Sequence, residues 1–238
     1  RRRLYYMRNW FWKNKVKWYS MKRKRSTNPF ISIIITNRNA RKWLNKCLTS
    51  LNQQTMRNFE VIFVDNNSSD RSTEFVSQKF PWVHVIKSNH DLGYAGANNL
   101  GAKRARGKYL FLMNTDAYLA QDTIQKLTTT LKKYPQYHLM QLDEKKYDKS
   151  DLPDRYLIFS MDVLGYPIGS NGKGPLFYAD GAALVITKKL FTKLRGYDTE
   201  YYMYLEDMDL NWRARLLGEN VYFLKDIYVY HYAGGPSI

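Results

Sequence analysis

A chain of 238 residues, 44% of them hydrophobic, can bury the core of one large domain or two small ones, which excludes global disorder. Residues 1–28 carry 11 of the Lys/Arg and no Asp/Glu, so the net charge of +17 falls to +6 over the remaining 210 residues and the basicity belongs to an arm. The lone Cys47 excludes an intrachain disulfide framework and fits a reducing compartment, and no apolar run is long enough for a membrane span or a signal peptide.

The arm interleaves its cations with Tyr5, Tyr6, Trp10, Phe11, Trp12, Trp18 and Tyr19. That composition suits a helix lying on an anionic membrane surface. A solvated tail is the competing reading, and nucleic-acid binding a third. The chain begins at Arg1 rather than Met, which points to a fragment or a processed product. Asn28-Pro29 ends the arm, and a regular alternation follows. Residues 30–36 read as a strand, 40–54 as a helix, 59–64 as a strand, and 70–80 as a helix capped through Ser68 and Ser69. Strand 82–86, helix 94–105, strand 108–113 and helix 121–134 continue the pattern. Cys47 falls in the apolar stripe Trp43, Leu44, Cys47, Leu48, Leu51, as a buried structural thiol would. The alternation predicts an α/β fold with a doubly wound, mostly parallel sheet. Leu142–Gly174, with Pro153, Pro167 and four glycines, reads as long loops with short strands. Order returns at 177–186, a helix at 188–194, an acidic helix from about 206 to 217, and strands at 221–224 and 228–231.

In an open parallel sheet, ligands bind outside the carboxyl ends of the strands. Three of the strands end there in polar residues: Thr36-Asn37-Arg38, Asp65-Asn66-Asn67-Ser68-Ser69 and Asn114-Thr115-Asp116. The loop from Asn89 to Asn99, with Gly93, Gly96 and Asn98, leads into a helix rich in small residues. Backbone N–H groups in such a loop can approach a phosphate or sugar closely; a tight helix–sheet contact would need the same small residues. It lacks the paired glycines of the dinucleotide fingerprint. The stretch Glu206-Asp207-Met208-Asp209 sets three carboxylates within four residues, and burying any of them demands a metal, a cation or a hydrogen bond. Glu206 and Asp209 also suit the first turn of a helix, and Asp209 can pair with Arg213 four residues on. Together these points suggest a divalent metal site beside a catalytic base, the minimum for moving a group off a nucleotide diphosphate.

Taken with Ser32–Thr36, Asp180-Gly181-Ala182, Gly196-Tyr197-Asp198, Gly218 and His231 before Gly234-Gly235, these motifs resemble family 2 of the inverting glycosyltransferases, with its nucleotide-sugar-binding GT-A fold. The match runs in order over residues 30–237 and looks closest to the rhamnosyltransferase-like branch. It implies a GT-A domain over 29–238, with a donor half to about 140 and an acceptor or catalytic half beyond. The resemblance makes Asp65, with Thr36, Arg38 and Asn67, the nucleotide-base pocket. It adds Gly93, Asn98, Asn114, Thr115, Asp180 and Gly181 to the donor site, and makes Asp116 and His231 the ligands of Mn²⁺ or Mg²⁺. Asp207 would be the general base, with Glu206 beside it. The implied donor is a dTDP- or UDP-sugar, and the acceptor a glycan or lipid-linked saccharide. The implied place is the cytoplasm, peripheral at the cytosolic face of a membrane touched by residues 1–28, with no nucleic acid as partner. Asn114 stands where many relatives carry Asp, which throws more of the metal on Asp116. Relatives also continue beyond the last motif with helices, whereas this chain stops at Ile238. The second reading is therefore a catalytically weakened relative that binds a glycan or partner. A nucleic-acid-binding protein ranks behind both.

Overall fold

Runs of β-branched and aromatic residues set the central strands, because each is buried on both faces. The computed structural model describes residues 28–146, 160–161, 167–168 and 178–232. The basic arm before residue 28, most of the loops between 147 and 177, and Gly234-Gly235 lie outside the described residues. The elements are β1 (Ile31–Asn37), α1 (Arg41–Asn52), β2 (Phe59–Asp65), α2 (Ser72–Lys79), β3 (His84–Lys87), α3 (Gly93–Arg104), β4 (Tyr109–Asn114), β5 (Ala117–Leu119), α4 (Thr123–Lys133) and β6 (Leu139–Lys146). There follow β7 (Ser160–Met161), β8 (Pro167–Ile168), β9 (Ala183–Thr187), α5 (Lys188–Lys193), α6 (Glu206–Leu216) and β10 (Val221–His231).

Among the described residues, eight strands form one sheet in the order β3-β2-β1-β4-β9-β6-β10-β5, and β7 pairs with β8 separately. The first four are parallel, β9 runs antiparallel to both β4 and β6, β10 is parallel to β6, and β5 closes the edge antiparallel to β10. This is a mixed α/β sheet, a parallel, doubly wound half joined to a mixed half. Successive side chains of β1 feed opposite cores. Ile31, Ile33 and Ile35 pack with Leu44, Leu48 and Leu51 of α1 and with Ile124 and Leu127 of α4. Ile34 packs with Ala97 and Ala102 of α3 and with Leu210 and Ala214 of α6. A Cβ on Gly101 would stand 2.6 Å from Ile34 Cγ2, so α3 lies against the sheet at a distance only glycine allows there. Cys47 is buried, and burial followed by the Asp116 charge pushes its thiol far above the ordinary range, as an inert core residue requires.

The structure departs from the sequence expectation in three places. Helix α2 starts two residues late. Its N-cap is Arg71, at φ of +62°, and the preceding Asp70 takes the first helical N–H, its Oδ1 accepting from Ser72 N at 3.0 Å, while Ser68 and Ser69 turn back to Asn37 and Asn39. The segments 221–224 and 228–231 are one strand, β10, whose pairing with β6 shifts between Leu224 and Tyr228. The rhythm that fades after residue 140 hides β6, an interior strand.

Candidate active site

The registers Thr36↔Asn114 and Asn37↔Asp65 set the carboxyl ends of β1, β2 and β4 side by side. Across from them lie the 178–182 turn and the start of α6, and a cavity of about 570 Å³ opens between the two. It is lined by Thr36, Arg38, Gly93, Asn114, Thr115, Asp116, Asp180, Gly181, Glu206, Asp207 and His231, all candidates from the sequence, and also by Asn37, Trp43, Asn66, Tyr94 and the 203–205 segment.

On the acidic side, Asp207 Oδ2 accepts from Gly181 N at 2.9 Å and Oδ1 from Met208 N at 2.8 Å, so the carboxylate is pinned by backbone at both oxygens. Burial, then the Asp180 charge, raise the Asp207 carboxyl to about 6 in spite of those two N–H groups. Glu206 is 4% exposed, and among the described residues its Oε2 has no hydrogen-bond partner. Burial and the Asp207 charge raise it to about 7. Asn211 clamps the turn to the helix: its Oδ1 accepts from Ala179 N at 2.9 Å, and its Nδ2 donates to Ala179 O at 3.0 Å and Asp207 O at 2.6 Å. The Tyr94 hydroxyl lies between Asn114 Oδ1 (3.1 Å) and Gly181 O (2.8 Å), bridging the end of β4 to the same turn. Asp209 faces away from this group, its Oδ2 accepting from Arg213 Nε at 2.8 Å, while the same guanidinium donates to the carbonyls of Leu194 and Gly196.

The backbone entering α6 is strained. Tyr204 and Leu205 both have φ of +70°, a region that non-glycine residues avoid at a cost of roughly 1–3 kcal/mol each. Both side chains are exposed at the mouth of the cavity.

Also in the lining, His231 Nε2 stands 3.1 Å from Asp116 Oδ1, and Asn114 Nδ2 is 3.4 Å from the same nitrogen. Burial disfavours a charged His231, but the hydrogen bonds and charges of Asp116 and Glu144 outweigh it and raise the imidazole to about 9. An imidazole nitrogen beside a carboxylate oxygen is a donor set suited to Mn²⁺ or Mg²⁺, where a divalent cation takes the place of the shared proton. Among the described residues no group of three or more His, Cys, Asp or Glu stands together as a ready-made metal site.

The third region joins the end of β1 to the loop that enters α3. Arg38 and the Tyr202 hydroxyl both meet Asp91 Oδ2, and Arg38 Nη1 also donates to Tyr202 OH at 2.8 Å. Asn66 lines the cavity while its amide binds Asp91 Oδ1 (2.7 Å) and Leu92 N (2.8 Å). Three sequence candidates are not brought to the cavity. Asp65 is 1% exposed behind it, its oxygens accepting from Asn37 Nδ2 (3.3 Å) and Thr73 Oγ1 (2.7 Å). Asn67 sits exposed on a turn with φ of +61°, and Asn98 is buried within α3, donating to Tyr94 O at 3.0 Å. The first N–H groups of α3 are also occupied by protein: Leu92 N by Asn66, Gly93 N by Asp91 (3.0 Å), and Tyr94 N by Tyr202 O (2.8 Å). Gly93 has φ of +65°, and a Cβ there would meet Tyr202 O at 2.3 Å, so the 201–205 segment closes directly onto the glycine.

Asn37, Asp91 and Tyr94 entered the sequence reading only as parts of longer motifs, and Glu144 and Asn211 did not enter it. Asn211 had a signal, lying one helical turn beyond Asp207. Glu144 had none, because the strand that carries it was not legible.

A profile of the family described as "Glycosyl transferase family 2" matches residues 32–195. Among curated proteins, an uncharacterized glycosyltransferase of Haemophilus influenzae is 33% identical over 101 residues, covering 41% of this chain and 40% of its own length. The uncharacterized glycosyltransferase EpsJ of Bacillus subtilis is 32% identical over 103 residues, covering 42% of this chain and 30% of its own. These matches thus span two fifths or less of the relatives' length. Among solved structures, TarS of S. aureus (residues 1–349, in complex with UDP) superimposes with a TM-score of 0.68 at 18% identity over 82% of this chain and 58% of that one. The mannosyltransferase PcManGT of Pyrobaculum calidifontis, in complex with GDP-Man and Mn²⁺, does so with a TM-score of 0.67 at 16% identity over 96% of this chain and 65% of that one. At such identities the likeness establishes the fold.

Proposed function

The chain belongs to glycosyl transferase family 2, and from that membership we propose that it moves a sugar from a nucleotide-diphospho-sugar to a hydroxyl of a glycan or lipid-linked saccharide, inverting the anomeric carbon. The observation that carries the reading is the placement, in the lining of one cavity, of Asp207 pinned by Gly181 N at 2.9 Å and of the Asp116–His231 pair at 3.1 Å.

In this proposal the donor binds across residues 29–140 and the acceptor reaches the anomeric carbon from the side of residues 141–238. Asp207 takes the proton of the attacking hydroxyl, and its raised basicity, near 6, suits that task around neutral pH. Gly181 N and Met208 N fix the carboxylate so that a lone pair faces the cavity, which sets the direction of attack. Burial and the Asp180 charge raise the basicity of Asp207, and Glu206 stands beside it as a second buried carboxyl. Asp116 and His231 hold the divalent cation, Mn²⁺ or Mg²⁺, which when bound supplies charge neutralisation at the departing nucleoside diphosphate.

For the base, dTDP- and UDP-sugars are favoured. Asn37 lines the cavity, is 1% exposed, and its Oδ1 has no partner among the described residues, so it is an acceptor suited to the ring N–H of uracil or thymine. Asp65 then acts one step back, holding the Asn37 amide, with Thr36, Arg38 and Asn66 completing the wall. Among the described residues no helix is long and apolar enough to cross a membrane. The basic aromatic arm suits a peripheral position at a cytosolic membrane face, close to a lipid-linked acceptor.

The test is turnover of a panel of dTDP-, UDP- and GDP-sugars by the purified chain, with melting temperature followed in parallel. Release of nucleoside diphosphate from one donor, dependent on Mn²⁺ or Mg²⁺, supports the reading and names the donor. A protein that neither turns over nor is stabilised by any donor overturns it.

A further inference from the structure

The metal-side wall continues into the sheet in a way the proposed mechanism does not use. His231 has two ring nitrogens, and only Nε2 faces Asp116 and the cavity. Its Nδ1 lies 3.4 Å from Oε2 of Glu144, on the neighbouring strand β6, whose carboxylate is 5% exposed. The other oxygen of Glu144 faces Gln141 Nε2 at 3.4 Å, and the Gln141 Oε1 accepts from Asp180 N at 2.6 Å. A continuous chain of contacts therefore runs from His231 through Glu144 and Gln141 to the turn that presents Gly181 N to Asp207.

We propose that Glu144 is the positioning residue of the metal wall: by accepting a hydrogen bond from His231 Nδ1–H, it keeps the lone pair of Nε2 directed at a divalent cation beside Asp116, and through Gln141 it ties that imidazole to the Asp180–Gly181 turn. A histidine ligand presents one nitrogen as a lone pair only if the other carries the proton, and an outer carboxylate both fixes that tautomer and strengthens the ligand. Two features single out Glu144 for the task. Its carboxylate is buried, so it is not an exposed charge that happens to lie near, and it approaches the nitrogen that points away from the cavity. The pairing is built into the sheet, because β10 and β6 run parallel with Val229 opposite Glu144 and His231 two residues beyond. The inference rests on the reading of Asp116 and His231 as metal ligands.

Mn²⁺ binding, measured by the electron paramagnetic resonance of the free ion with and without UDP, separates the two claims. For Glu144→Leu, which removes the acceptor, the Mn²⁺ dissociation constant is expected to rise about 10- to 100-fold, the usual effect of losing such an outer partner. Glu144→Gln keeps an amide oxygen for Nδ1–H and should recover most of the affinity. In the Mg²⁺-loaded, ¹⁵N-histidine-labelled wild type, His231 should carry its proton on Nδ1. A Glu144→Gln protein that melts like the wild type yet binds Mn²⁺ as weakly as Glu144→Leu would overturn the tautomer role, as would a proton found on Nε2. Unchanged Mn²⁺ affinity in both variants would remove Glu144 alone. Wild-type protein that takes up no Mn²⁺ under either condition would overturn the inference together with the metal reading beneath it.

Discussion

Asp207 and Gly181 meet across two segments 26 residues apart, the glycine N–H donating to Asp207 Oδ2 at 2.9 Å. The bond gives the carboxylate a fixed direction without neutralising it. Substituting Asn at 207 keeps the size and removes the base, at the loss of one of the two backbone N–H acceptors. Asp207→Asn should lower the transfer rate by roughly 10²- to 10⁴-fold, the range for loss of a general base, read as nucleoside diphosphate released per minute, with a melting curve confirming that the variant is folded.

The rate should also depend on pH in one direction. Asp207 and Glu206 stand near 6 and about 7, so the base is protonated in acid and the pair loses its protons as pH rises. Because the two interact, the profile reports apparent values of the pair. The rate at saturating donor should climb from about pH 5 and level above about pH 7.5. A profile flat over that interval would contradict the assignment.

Glu206 should cost stability in its charged form. Its folded-state value of about 7 lies above the ordinary 4.5, so the stability it permits is complete below about pH 4.5 and is lost as pH rises through about 7. Glu206→Gln should therefore stabilise the protein at pH 8 by about 1–3 kcal/mol and hardly at all at pH 4.5, as judged by thermal or urea unfolding at the two values.

Gly93→Ala tests the closure of the 201–205 segment. The new methyl would collide with Tyr202 O and sit at positive φ, so the contact between Tyr94 N and Tyr202 O must open. The expected loss is about 1–3 kcal/mol, accompanied by weaker donor-dependent thermal stabilisation, because Met203, Tyr204 and Leu205 line the same cavity.

Removing the metal should separate binding from transfer. With EDTA, turnover should fall to background and return on adding Mn²⁺ or Mg²⁺. His231→Gln should need a higher Mn²⁺ concentration for half-maximal rate, by about tenfold or more. Activity indifferent to chelation would remove the cation from the mechanism.

Much of the parallel half was legible because its strands are doubly buried and its helices amphipathic, as in Ile31–Ile35 with Leu44, Leu48 and Leu51. Their polar ends could be placed on one edge by the location rule for open sheets alone. What stayed hidden depended on contacts far apart in sequence. Strand β6, Leu139-Met140-Gln141-Leu142-Asp143-Glu144, mixes apolar with charged residues, because its carboxylates serve partners on β10 that no local pattern reveals. Asp65 reads as a site residue by position; in the structure it is the last residue of β2, buried outside the cavity lining and bonded to Asn37 and Thr73, contacts that no local pattern reveals. The strained pair Tyr204-Leu205 carries no composition signal at all, being held by the elements on either side.

The sheet's outline has a bearing on solubility. Its two outermost strands, β3 with four residues and β5 with three, are the shortest of the eight, while the eleven-residue β10 lies inside. Open strand edges are where one chain can recruit another into a growing intermolecular ladder, and short edges are a recognised defence. On one flank β3 offers little free backbone to template such a ladder, and on the other β5 covers Val229–His231 of β10. Among the described residues, the end of the long strand that carries His231 is therefore held between β6 on one side and β5 on the other.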